Sequence, residues 1–240
     1  MTEDAAGRRP ERPTDDNPGG PLAEARAARS RRAVRPSHAA SLILWRQGAR
    51  GGTAEVLMGL RHMRHRFMPG VLVFPGGRVD RADYRAKAIS ELPPATRACL
   101  QRAAPPSLAR ALGVAAVREL HEETGLALGR LEGRHVLPDL GTLEYLCRAV
   151  TPADRAMRFN ARFLVAPAEA ARGTVRGSGE LEELRFFALE EALRHKVATI
   201  TAKVLAEFRA WLAMPPEARV ARQLICFRGM DTRLPERPGR

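Results

Sequence analysis

The chain has 240 residues, 45% of them hydrophobic, and a formal net charge of +13. That length suits one domain with a sizeable core, and the composition excludes global disorder. No apolar run approaches the roughly 20 residues needed to cross a bilayer.

The charge is almost all arginine, because Lys87, Lys196 and Lys203 are the only lysines. Arginine favours planar, two-pronged contact with phosphate, so a polyanionic ligand is expected without being identified. Cys99, Cys147 and Cys226 are sparse, odd in number and far apart. They point to a reducing compartment, the cytoplasm, and away from a disulfide framework or zinc ribbon. The polar start of the chain carries both signs of charge, so neither a secretory signal nor a transit peptide is expected there.

In chain order, residues 1–36 read as a disordered tail rich in arginine and proline. Residues 39–45 and 56–60 read as buried strands joined by a turn at 48–52, and 71–74 as a short apolar strand stopped by Pro75-Gly76-Gly77. A proline-flanked stretch from 93 to 106 reads as one short helix, expected to pack beside the next helix and shape the rim of a pocket. Residues 108–124 carry a helical pattern, with Ser107 as its expected N-cap and Gly125 where a left-handed residue ends it. Strands follow at 142–150, 162–166 and 184–189, then helices at 190–195 and 201–212. Residues 215–240 read as a mostly irregular tail whose apolar Leu224, Ile225 and Phe227 dock back on the domain. Strands interleaved with a few helices, without regular βαβ alternation, predict an α/β or α+β sandwich with a mixed sheet.

The helix at 108–124 carries the chemistry. Glu119, Glu122 and Glu123 stand at i, i+3 and i+4, within an arc of about 100° on one face. Like charges at that spacing repel, and they sit at the negative end of the helix dipole. A divalent cation relieves both conflicts, and hard carboxylate oxygens suit Mg²⁺ or Mn²⁺; a solvated acidic helix end paired with Arg118 is the plain alternative. The zinc motif H-E-x-x-H fails, since Gly125 stands where the second histidine is needed. Ahead of this helix, Gly76 and Gly77 follow a buried strand, and such glycines let backbone pass close to a phosphate.

With these residues the chain resembles the Nudix hydrolases, whose signature is G-x5-E-x7-R-E-U-x-E-E-x-G-U, with U aliphatic. The second half is complete as Arg118, Glu119, Leu120, Glu122, Glu123, Gly125 and Leu126. The first half fits as Gly77 followed by Asp83, where the family has Glu, and residues 84–117 stand where the family has seven. The resemblance covers roughly residues 38–213 and implies a Nudix-type α-β-α sandwich at 37–214 with a helical insertion at about 84–106. An interrupted box resembles in particular the coenzyme A and acyl-coenzyme A diphosphatases. Their upstream motif L-L-T-x-R-S-x3-R-x3-G-x3-F-P-G-G is matched in register by Leu57, Arg61, Arg66, Gly70 and Phe74 to Gly77, while Met58, Gly59 and His62 depart from it.

The resemblance implies Mg²⁺- or Mn²⁺-dependent hydrolysis of a nucleoside diphosphate linked to another moiety. It places the metal on Glu119, Glu122 and Glu123, and implies that Arg118 orients these carboxylates with Asp83 as its partner. The catalytic residues expected from it are Glu122, Glu123, Arg118 and Glu180; Glu180, on a glycine-flanked loop, is a candidate general base. Substrate is expected on Arg61, Arg66, Gly76, Gly77 and Arg78. Arg61, Arg64, Arg66, Arg78 and Arg81 against Asp80 leave a local charge of +4. Other nucleotides (ADP-ribose, NADH, a nucleotide sugar or a nucleoside triphosphate) and a non-catalytic nucleotide- or RNA-binding module are the competing readings. Aromatics at 5% argue against RNA, which asks for exposed stacking rings. The expected partner is a small nucleotide, with neither membrane nor nucleic acid; a homodimer is compatible with this reading.

Overall fold

A computed structural model describes residues 34–62, 69–177, 179–229 and 232–236. The tail expected at 1–36 therefore lies almost wholly outside the described residues, as do Arg64, His65 and Arg66.

Residues 35–236 build one mixed sheet between helices. Its strands are β1 (Ser37–Arg46), β2 (Glu55–Arg61), β3 (Leu72–Val73), β4 (Gly76–Arg78), β7 (Glu144–Val150), β8 (Phe159–Pro167), β9 (Leu181–Ala188), β10 (Ile225–Arg228) and β11 (Thr232–Pro235). A separate hairpin joins β5 (Gly129–Glu132) to β6 (His135–Pro138). The path runs β11-β10-β7-β8-β1-β2-β3, with β4 also on β1 and β9 also on β2. Strands β1 and β8 pair parallel, as do β10 and β7, while β7 and β8 pair antiparallel.

The pleat divides β1 between two cores. Leu42 and Leu44 face one cluster with Leu112, Ala116 and Leu120 of helix α2 (Pro106–Thr124). Ile43, between them, faces the other with Val204, Phe208 and Trp211 of helix α4 (Thr199–Leu212). The result is the expected sandwich, a sheet with a long helix on each face. Helix α1 (Pro94–Gln101) falls in the insertion, and its Leu100 joins the same core as Leu108 and Leu112 of α2. Thr96 Oγ1 donates to the Leu143 carbonyl at 2.7 Å, which ties α1 also to the start of β7.

Two expectations are corrected. Ser107 does not cap α2: the helix begins two residues earlier than expected, with Pro105 as the extended N-cap and Pro106 in the first turn. Proline before a proline is held extended, and proline at the first helical position has φ already set, so the pair fixes the start without a side-chain cap. The stretch after 215 is not mostly irregular. It forms helix α5 (Pro216–Ala221), then β10 and β11, because Ile225 and Phe227 bury in the second core while the β10 backbone pairs along β7. The short helix expected at 190–195 is α3 (Leu189–Arg194).

The split use of β1 shapes the site. Its last residues, Trp45 and Arg46, pair with β2, whereas Ala39, Ala40 and Ser41 pair with β4. Strand β4, all glycine and arginine, is therefore held beside the C-terminal end of α2.

Candidate active site

Helix α2 ends where the sequence places its stop. Gly125 adopts the left-handed conformation (φ 73°) and its N–H donates to the His121 carbonyl at 2.9 Å. The turn just before it carries the three carboxylates. Glu123 is buried, and one Oε accepts the Gly76 N–H at 2.9 Å. Glu119 lies against Gly77 so closely that any Cβ there would collide with its carboxylate. Gly76 is equally constrained by the backbone of Ala40 and Ser41, and takes φ 156°. Gly77 is thus needed for Glu119 to lie against β4, and Gly76 for β4 to lie against β1.

Arg118 organises the remainder. Its Nε and Nη2 meet the two oxygens of Asp83 at 2.9 and 3.1 Å, and Nη2 also donates to the Arg78 carbonyl at 2.9 Å. Its Nη1 donates to Glu119 at 2.8 Å and to Glu122 at 3.0 Å. Asp83 is buried and also accepts the Asp80 N–H at 2.7 Å. Burial works to lower the Arg118 pKa, but its hydrogen bonds to Asp83 and the charges of Glu119 and Asp83 outweigh it and hold the guanidinium firmly charged. Asp83 thus bridges the insertion: it lies 35 positions before Arg118 and is joined to it by two parallel bonds.

The carboxylates are short of positive charge. Burial, reinforced by Glu119 and Glu180, pushes Glu123 up to about 8, against the Gly76 N–H and the charge of Arg61. Glu119 is raised in the same way, by burial and by Glu122 and Glu180, with Arg118 opposing. These influences place Glu180 and Arg61 within electrostatic reach of the helix end. The Glu180 carbonyl accepts the His62 N–H at 3.2 Å, and the His62 ring meets Glu182 at 3.2 Å. The Arg78 guanidinium lies over the Phe159 ring, 5.5 Å from its centre, so here its carbonyl rather than its side chain reaches Arg118. Arg66 lies outside the described residues.

The donor set suits a hard divalent cation: Glu119, Glu122 and Glu123 share one turn of α2, two of them with raised pKa, and the arginine beside them is already engaged by Asp83. Among the described residues, no three acidic, histidine or cysteine side chains converge tightly enough to hold an ion without moving. Glu122, more than half exposed, is turned to Arg118 and has the freedom to move.

The motif reading did not single out the rest of the Asp83 turn. Tyr84 and Arg85 follow Asp83 there and project outward, next to an open surface hollow of about 450 Å³. Their only signal in the sequence is adjacency to a residue that itself stood in for the family's Glu.

Residues 110–208 match the family model described as NUDIX domain. Among solved structures, the chain is similar to a NUDIX hydrolase from Alicyclobacillus acidocaldarius, with 25% identity over 78% of this chain and 96% of that one, and a TM-score of 0.59. It is also similar to a MutT NUDIX hydrolase from Burkholderia pseudomallei, with 22% identity over 72% and 98% and a TM-score of 0.45. A third is the NUDIX domain of Shewanella oneidensis NrtR, solved in complex with ADP ribose, with 17% identity over 80% and 98% and a TM-score of 0.49. None of the curated proteins matches the chain.

Proposed function

From the premise that this chain carries a Nudix domain and is a hydrolase of phosphorus-containing acid anhydrides, we propose that it cleaves a nucleoside diphosphate linked to another moiety, with coenzyme A or an acyl-coenzyme A as substrate. One observation carries the reading: buried Glu123 and its carboxylate neighbours lie against a Gly-Gly strand without enough cationic partners of their own.

Glu119, Glu122 and Glu123 would hold Mg²⁺ or Mn²⁺. Such an ion, when bound, neutralises charge developing on phosphoryl oxygens and makes its bound water more acidic. The protein's own groups do the positioning. Arg118, locked by Asp83, fixes Glu119 and orients Glu122. Gly76 and Gly77 allow the backbone of β4 to approach phosphate closely. Arg61 supplies a positive charge beside Glu123 for the diphosphate. Glu180, within electrostatic reach of Glu119 and Glu123, is the proposed acceptor of the proton from the attacking water. Phosphoryl-type transfer depends mainly on such positioning and electrostatics, so no covalent nucleophile is invoked.

The coenzyme A reading rests on the in-register match of Leu57, Arg61, Gly70 and Phe74 to Gly77 together with the interrupted box. Its test is a substrate panel with Mg²⁺ or Mn²⁺: coenzyme A esters, ADP-ribose, NADH and nucleoside triphosphates, with products identified. Release of a 4′-phosphopantetheine from coenzyme A is expected. Cleavage of ADP-ribose or NADH with coenzyme A left intact would transfer the site to another nucleotide, and no turnover at all would leave a binding module.

A further inference from the structure

The turn that presents Asp83 to Arg118 has an outer side unused by the chemistry above. Residues 81–85 turn tightly, with the Asp83 N–H on the Asp80 carbonyl and the Arg85 N–H on the Ala82 carbonyl, at 3.2 and 3.0 Å. Asp83 points in, at 1% exposure, while Tyr84 points out, at 41%. Arg81 and Arg85 are exposed beside it, and among the described residues their side chains make no hydrogen bond or ion pair. Most other arginines near the site are engaged: Arg118 by Asp83, Arg110 by Glu91, and Arg78 over Phe159.

These three side chains and Ala82 line the open surface hollow of about 450 Å³. It meets, at Ala82, a smaller cavity of about 220 Å³ that reaches Asp83, Arg118 and Glu122. The inner cavity carries charges of both signs, Asp83 and Glu122 against Arg118 and Arg134. The outer one is lined by an exposed aromatic ring and by two arginines with no side-chain hydrogen bond or ion pair among the described residues. That combination suits a nucleotide: the ring stacks on a base and the arginines take an anion.

We propose that the Arg81–Tyr84–Arg85 turn is a specificity subsite for a phosphate carried on the ribose of the substrate's nucleoside, distal to the scissile diphosphate. Tyr84 stacks on the base, and Arg81 and Arg85 bind the ribose phosphate. The buried Asp83 between them fixes this subsite to Arg118, so distal recognition and carboxylate alignment share one turn. The inference rests on the reading of the site as a nucleotide diphosphate hydrolase, but its test needs no turnover.

Binding of adenosine 3′,5′-bisphosphate and of AMP to the full chain is measured by calorimetry without divalent metal. The wild type is expected to bind the bisphosphate roughly tenfold more tightly than AMP. The double variant Arg81→Ala/Arg85→Ala loses that preference with AMP affinity within about twofold, and Arg81→Lys/Arg85→Lys regains part of it. Tyr84→Ala weakens both ligands by a similar factor, roughly tenfold. A charge-matched control, Arg194→Ala/Arg209→Ala on exposed helix positions, keeps the preference. Equal affinities in the wild type, no binding of either ligand, a preference retained without Arg81 and Arg85, or a preference lost equally in the control would each overturn the proposal. A chain that shows the preference but splits no coenzyme A sinks the substrate reading alone. One that splits coenzyme A and its dephospho form equally, with no binding preference, sinks the subsite alone.

Discussion

Two regions of this molecule bury ionisable groups, and they are built on opposite terms. On the β7–β8 side, Glu236 reaches back to accept the Tyr145 hydroxyl at 2.7 Å and Arg148 Nη1 at 3.4 Å. Arg148 Nε donates to Asn160 Oδ1 at 2.7 Å, and Arg162, fully buried, donates to the carbonyls of Asn160 and Ala103 and meets His38 Nδ1. Burial and the neighbouring Arg148 lower Arg162 to about 10, yet its polar atoms are occupied by fixed acceptors. This network closes on itself. At the end of α2, by contrast, Glu123 has one backbone donor and two acidic neighbours, and Glu122, more than half exposed, pairs with Arg118. A self-satisfied network stabilises a fold; an incomplete one is held ready for a ligand.

The sharpest way to break this comparison is catalytic. Glu123→Gln or Glu122→Gln should reduce turnover by roughly 10²–10³-fold, with the far-UV circular dichroism and the melting temperature essentially kept. Retained activity would remove these residues from the reaction. Next comes pH. The carboxyl of Glu123 is raised in the folded chain from 4.5 to about 8, so folding takes up a proton between those values. Its contribution is therefore full below about pH 4.5 and lost as pH rises through 8, on the order of 5 kcal/mol without metal. Denaturant titrations of wild type and Glu123→Gln across that range should differ by this slope, and added Mg²⁺ should remove most of it. Parallel pH profiles for the two would refute the assignment.

The self-satisfied network gives the converse expectation. Glu236→Ala leaves Tyr145 and Arg148 short of a buried partner and should cost about 2 kcal/mol of stability, with kcat/KM of the folded enzyme unchanged. A loss of activity larger than the loss of folded protein would show that the two regions communicate. The smallest effect is expected at Gly77→Ala, where the new methyl group pushes Glu119 off β4; turnover should fall roughly tenfold, with Mg²⁺ half-saturation shifted upward.

Much of the site was legible because its information is local. Three carboxylates at i, i+3 and i+4 share a face on any helix, and Gly125 ends that helix whatever surrounds it. The interiors of β1, β2, β7 and β8 were legible for the same reason, since the sheet period and apolar content agree. What failed were features with no local signal. β4 is three residues of glycine and arginine, a strand only because β1 offers it an unpaired edge. β10 looked like a docking patch because its pairing partner, β7, lies far away in sequence. Glu236 gave no hint of burial, being one acidic residue in a proline-rich end.

The sequence alone determined the acidic helix turn, its stop and the glycine pair, since side-chain periodicity and backbone freedom are properties of short segments. Only the tertiary structure decided that Gly77 makes room for Glu119, that the Gly76 N–H meets Glu123, and that the Asp83 pairing implied by the family resemblance takes the form of two parallel bonds to Arg118. Those relations depend on which distant strands share β1, and no spacing along the chain encodes a contact made through the sheet.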